Sequence, residues 1–293
     1  MTEAAMGWAE WLVSAVAALL LSALAVGALG AWFWRRTSAR QIRQLDGSRP
    51  RQSSRTVSFD ELRGLPEPVA RYLRRVLAEG RPLVRTARLA QTGALRVGRT
   101  EARGRWCPMT AVQHFSVAPA GFIWDARIRM APLLRIFVRD GCVGGRGGME
   151  ARIWALVPMV RAQAGAALDT AALQRYLGEA VWLPTALLPS QGVAWQPIDE
   201  WRARATLEQG GVSASLEFRF GPDGDAVEVY APARYREFSG RYLPTPWSVR
   251  LGQFAQRGGM RIPLQAEASW LLPGGRYPYW RGCVQSIHYS YGG

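Results

Sequence analysis

The sequence predicts a mainly β protein of the α+β class: one N-terminal transmembrane helix, then a large curved antiparallel sheet packed on a few helices. Three observations carry this. Apolar and polar residues alternate in run after run between Leu83 and Tyr291, the period of a half-buried strand. Short Gly- and Pro-containing turns separate many of the runs, which makes neighbouring strands antiparallel. Trp11–Trp34 spans 24 positions without a charged residue. At about 1.5 Å per residue that exceeds a hydrocarbon core of roughly 30 Å.

The first element is that apolar segment. Trp8 and Trp11 flank one end, and Trp32, Phe33 and Trp34 the other, as interfacial rings should. A cleaved signal peptide would need a basic leader and a shorter apolar run, and Glu3 and Glu10 stand where the basic residues would be. Residues 1–34 are therefore read as a tail and membrane helix. Residues 35–55 hold seven Arg and one Asp and form a basic juxtamembrane linker, flexible from Gln44 to Ser54. Arg35, Arg36, Arg40 and Arg43 lie where they meet anionic headgroups, and the charge rule places this side in the cytoplasm.

Residues 56–293 form the folded domain. A capping box of Ser58 and Glu61 starts a helical region near 58–77, with Val69, Tyr72, Leu73 and Val76 on its apolar face. Strands follow through Leu95, Phe115 and Trp124. The main helix spans about 169–183, with Asp169 as N-cap, Tyr176 and Leu177 on its apolar face, and Pro184 as its stop. It is read as a plug on the sheet. Beyond it the alternation is cleaner, through Leu207, Phe218, Ile262 and Trp270, with turns at Gln209-Gly210-Gly211 and Pro222-Asp223-Gly224. About ten strands are too many to stay flat, so the sheet should curl into a half-barrel or a closed barrel.

Composition excludes several functions. With 48% hydrophobic residues the chain has a core and is not disordered. The net charge of +15 comes entirely from arginine, since none of the 37 basic residues is lysine, and the Arg outside the linker are interleaved with Glu. No nucleic-acid motif accompanies them, so no nucleic-acid partner is expected. Three widely spaced cysteines and two histidines support neither a disulfide framework nor a metal site. No glycine-rich phosphate loop precedes a helix, so no cofactor is expected.

Candidate site residues come from the aromatic content. Thirteen Trp exceed what a core of this size needs. A curved sheet plugged by a helix can enclose an apolar cavity, and Trp124, Trp182, Leu183 and Leu187 are expected to line it. Asp125 sits in an aromatic strand and Glu179 beside the helix's apolar face, where each is either an ion-pair partner or a polar group in the cavity. His114 and Asp125 together suggest a third reading, a hydrolase, although no nucleophile elbow accompanies them.

Several motifs occur together: Gly-Leu-Pro-Glu-Pro-Val-Ala-Arg-Tyr-Leu at Gly64–Leu73, Gln113-His114-Phe115, Phe122–Ala126, Ala180–Ser190, Tyr235-Arg236, Thr245-Pro246-Trp247 and Tyr279–Gly282. In combination they resemble an uncharacterised bacterial domain-of-unknown-function family, numbered 6544, over about Thr56–Tyr291. That family has no established activity, so the resemblance assigns no catalytic residue. The strand order is also similar to that of the LolA-type periplasmic lipoprotein carriers, in which a curved sheet with helices on its concave face holds acyl chains. That similarity implies a LolA-like half-barrel and an extracytoplasmic location, against the charge rule. The expected function is a non-enzymatic, membrane-anchored domain that binds a lipid or other apolar ligand. The alternative is a module that presents its sheet to a membrane-protein partner.

Overall fold

The computed structural model describes residues 2–47, 55–98 and 104–291. Most of the described chain is one antiparallel sheet. Six strands succeed one another: β1 (Val84–Val97), β2 (Arg105–Ser116), β3 (Gly121–Arg129), β4 (Arg135–Val143), β5 (Arg146–Ile153) and β6 (Val157–Arg161). Seven more follow the central helix: β7 (Ala194–Pro197), β8 (Arg202–Gln209), β9 (Val212–Phe220), β10 (Ala226–Phe238), β11 (Arg241–Arg257), β12 (Met260–Leu272) and β13 (Gly275–Tyr291). Their spatial order runs β6 to β1, then β13 to β7, so the first and last strands pair in the middle and β6 and β7 form the two edges. The sheet is curved and open. Each step is a hairpin except the central β1–β13 pairing and the connection from β6 to β7. That connection must pass between opposite edges, and it carries the main helix across the concave face.

Thirteen strands exceed the ten that alternation suggests. β4 departs from alternation because Arg139 and Asp140 stand side by side before Gly141, which obscures the pattern of two. In β11 the prolines at 244 and 246 argue against a strand, yet they occur where Tyr235 and neighbouring β10 residues still pair. The Gly210-Gly211 turn behaves as expected: both residues have positive φ, the conformation of a tight hairpin.

The main helix, α3 (Ala166–Glu179), starts three residues before Asp169, so Asp169 is not its N-cap. Its carboxylate instead accepts from the Gly147 N–H at 2.7 Å and ties the helix to the start of β5. The Trp-Leu-Pro segment breaks into short 3-10 turns at Ala180–Trp182, Pro184–Leu187 and Pro189–Gln191. Leu173, Tyr176 and Leu177 are buried beneath Phe115, Phe122 and Phe218. α2 (Glu67–Val76) follows a short 3-10 turn at Phe59–Leu62 capped by Ser58. Glu61 does not complete a capping box; it reaches the Ser190 N–H at 2.9 Å. Tyr72 packs on Phe220, and Arg75 pairs with Asp225 rather than with solvent alone.

The N-terminal helix is longer than the apolar segment. α1 (Thr2–Gly47) continues through residues 35–47, for which the composition predicts a linker, while the linker's residues 48–54, Arg49 and Arg51 among them, lie outside the described residues. The cause is tertiary: Trp34, Ser38 and Leu45 are buried on one face, against the outer side of β2, β3 and β4. Trp34 is therefore not an interfacial ring. It is 4% exposed and packs beside Phe137 and Ala155.

Candidate functional site

Between α3 and the concave face lies a cavity of about 330 Å³. Period-two alternation builds its walls: on β11 and β12 the cross-strand pairs Trp247–Trp270, Val249–Ala268 and Leu251–Ala266 all point inward. Trp280 of β13 and Trp124 of β3 continue the wall, and Trp182 closes it from the 3-10 turn after α3. Trp182 is fixed by its indole N–H to the Pro263 carbonyl at 3.0 Å, while the Tyr289 hydroxyl donates to the Trp182 carbonyl at 2.6 Å. Gly178 of α3 lines the cavity where a Cβ would meet Leu216 at 3.3 Å, so the helix lies close to the sheet.

One end of the cavity is polar. Arg175 donates from Nη1 to Asp140 at 2.5 Å and from Nε to Glu179 at 2.9 Å, and Gln113 donates to Glu179 at 2.7 Å. The Arg175 guanidinium also lies 4.8 and 4.9 Å from the ring centres of Phe122 and Trp124. Burial pushes the Glu179 carboxyl above its ordinary range, against the pull of Arg175 and Gln113. Arg234 also lines the cavity, its guanidinium 4.8 Å from the ring centre of Trp247 and 5.5 Å from that of Trp270.

Of the residues expected to form the site, Trp124, Trp182 and Glu179 meet at this cavity. Leu183 and Leu187 do not line it; they are fully buried in the packed core behind the helix. His114 and Asp125 lie on the other face of the sheet, because they alternate with the inward Gln113 and Trp124. Arg35, Arg36, Arg40 and Arg43 are all exposed on α1, with Arg36 stacked over Trp32. The alternation already marked Trp270 as an inward residue, and Trp247 and Trp280 lay in the quoted motifs. Arg175, Asp140 and Arg234 gave no such signal.

On the outer face, Asp125 serves the attachment of α1. Its Oδ2 accepts from the Trp34 indole at 2.8 Å and from the Ser38 hydroxyl at 2.5 Å. Arg139, 3% exposed, donates to Ser38 Oγ, to the Trp34 carbonyl and to Glu150, at 3.0, 2.7 and 2.6 Å. No hydrogen bond joins Asp125 to His114 among the described residues.

A family of unknown function, DUF6544, matches residues 55–282. Among curated proteins none matches. Two solved structures are distantly similar. A LolA superfamily protein from Nitrosomonas europaea is 9% identical, with 76% of this chain and 92% of that one covered and a TM-score of 0.31. A beta-barrel-like protein of the domain of unknown function DUF1849 from Brucella abortus is 11% identical, with 71% and 98% covered and a TM-score of 0.27. At these distances neither says anything about activity.

Proposed function

The chain belongs to the DUF6544 family, and since that membership brings no activity with it, we propose from the geometry that the protein is a membrane-anchored binder of an apolar ligand. The observation that carries the reading is the Trp-walled cavity. Its volume of about 330 Å³ falls within the range of small-molecule sites, about 300–1,000 Å³. Well-packed domains rarely leave such a space among side chains as large as tryptophan.

The setting favours a ligand drawn from lipid. α1 contains the one stretch among the described residues long and apolar enough to cross a bilayer. Leu156, in the turn before β6, packs against Gly30 of that helix. From Trp11 to Gly30 the helix would span about 30 Å, so the sheet begins where the hydrocarbon ends. Leu133, Trp154, Val157 and Met159 are exposed on this end, and in the proposal they rest in the bilayer surface. The exposed Arg35, Arg36, Arg40 and Arg43 favour the cytoplasmic side by the charge rule. A C-terminal fluorescent-protein fusion that stays dark there and reports only outside would reverse that orientation.

Native mass spectrometry of the full chain, followed by organic extraction, tests the ligand. A stoichiometric lipid is expected on the wild type and not on Ala268→Phe, which fills the cavity from its sheet wall. Equal recovery from both folded proteins would refute the cavity as the site. A clean apo mass for a folded wild type would favour the partner-presenting reading instead.

A further inference from the structure

Arg234 reaches the cavity only because β10 is irregular. Val229 and Ala231 point inward, and strict alternation would send residue 234 outward. The register jumps instead: Ala231 faces Trp247 while Arg234 faces Thr245, three steps on β10 against two on β11. The bulge at Pro232-Ala233 thus turns a guanidinium from the solvent face onto the ligand face, a use to which bulges beside functional sites are put.

Once there, the group is under-satisfied. Its Nη2 makes one long hydrogen bond, 3.3 Å to the Ala171 carbonyl, and its buried Nε has no partner. Arg139, Arg175, Arg261 and Arg276 each hold a carboxylate, and Arg234 holds none among the described residues. Nearby carboxylates are engaged: Asp140 by Arg175, and Glu237 by the Gly240 N–H at 2.8 Å. Two tryptophan rings hold the cation in place without neutralising it.

Its position is a junction. Asp140, Met149, Arg234 and Trp270 line both the Trp-walled cavity and a second space of about 510 Å³, and the second space reaches Met159 and Val160 on edge strand β6. A chain lying in the first cavity would leave its end group beside Arg234, on the side that opens toward the edge strand. We infer that the ligand is an amphiphile with an anionic head, a carboxylate or phosphate on an aliphatic chain, and that Arg234 is its head-group receptor. This rests on the cavity being the binding site.

The test uses the full chain in nanodiscs of zwitterionic lipid, with thermal midpoints followed as decanoate, decyl phosphate or decanol is added; binding to the folded state raises the midpoint. Effects common to Ala268→Phe and Ala266→Phe, which fill the cavity, report the bilayer alone and are subtracted. Decanoate or decyl phosphate is expected to bind about tenfold or more tighter than decanol. The better of the two identifies a fatty-acid or a phosphate-headed source. Arg234→Gln should abolish the preference while decanol still binds, and Arg234→Lys should keep part of it. Equal binding of decanol and both acids by the wild type would overturn this inference and leave the cavity reading intact, as would a preference that survives in Arg234→Gln. Loss of all cavity-dependent shifts in the wild type would instead remove the cavity reading.

Discussion

The network that holds α1 on the outer face and the cavity on the concave face treat polar groups in opposite ways. On the outer face Trp34, Ser38, Asp125, Arg139 and Glu150 satisfy one another in a closed network. On the concave face Gln91 Nε2, Gln113 Oε1, Arg234 Nε and Trp280 Nε1 are buried without partners, at or next to the cavity. An unsatisfied buried polar atom costs stability, so folded proteins rarely keep a cluster of them without another use. The outer face holds a helix, and in the proposal the inner face holds a ligand. The residues that most looked catalytic in the sequence, Asp125 and His114, belong to the holding face.

The contrast can be broken most forcefully at Arg139. Arg139→Ala leaves Glu150 with Arg152 alone and strips the Ser38 hydroxyl and the Trp34 carbonyl of a charged donor, which is expected to lower stability by about 2–3 kcal/mol. Thermal unfolding of the full chain would show it, together with faster hydrogen exchange in residues 35–45. A shift below 1 kcal/mol would mean that α1 is not held by this network.

Glu179→Gln probes the other face with a smaller effect. It exchanges a carboxylate whose charge burial disfavours for a neutral amide that can still accept from Arg175, so the lost ion pair and the relieved desolvation oppose each other and the net change at neutral pH stays within about 1 kcal/mol. It also changes the pH profile. Because burial raises the Glu179 carboxyl, the fold takes up its proton more readily than the unfolded chain does. Stability from this group is full below its ordinary value of 4.5 and declines as pH rises through the raised value. Denaturant midpoints across that range should flatten in Glu179→Gln.

His114 should show the opposite slope and the smallest effect. Burial, and then Arg88, hold it below its ordinary value of 6.5, with Asp46 and Asp125 pulling the other way. The unfolded chain therefore binds a proton that the fold resists, and stability falls as pH drops below 6.5 toward the folded value. His114→Gln should remove that part of the acid slope and leave the slope above it unchanged. Where the two windows meet, between pH 4.5 and 6.5, the changes should have opposite sign; changes of the same sign in both variants would overturn the contrast.

Much of the fold was legible in the residues because alternation is a local property. Phe115, Phe122, Phe218 and Ile262 each announce an inward face within a few residues, and α2 shows its stripe at Val69, Tyr72, Leu73 and Val76. Part of the site was legible for the same reason, since Trp124 shares the inward parity of Phe122. Leu183 and Leu187 misled because an apolar residue after a helix stop reads alike whether it lines a cavity or fills a core. Trp34 misled because a tryptophan at the end of an apolar segment suits a membrane interface and a protein contact equally well.

The amino-acid sequence by itself determined the antiparallel sheet, its inward residues, the central helix and the apolar N-terminal segment, since each depends on neighbours a few positions away. Tertiary structure alone decided that Asp125 meets Trp34 across 91 residues, that α1 runs on to Gly47, and that Arg234 faces the cavity. A hydrogen bond between distant segments leaves no periodic trace, and a one-residue bulge reverses every side chain after it without changing the composition of the strand.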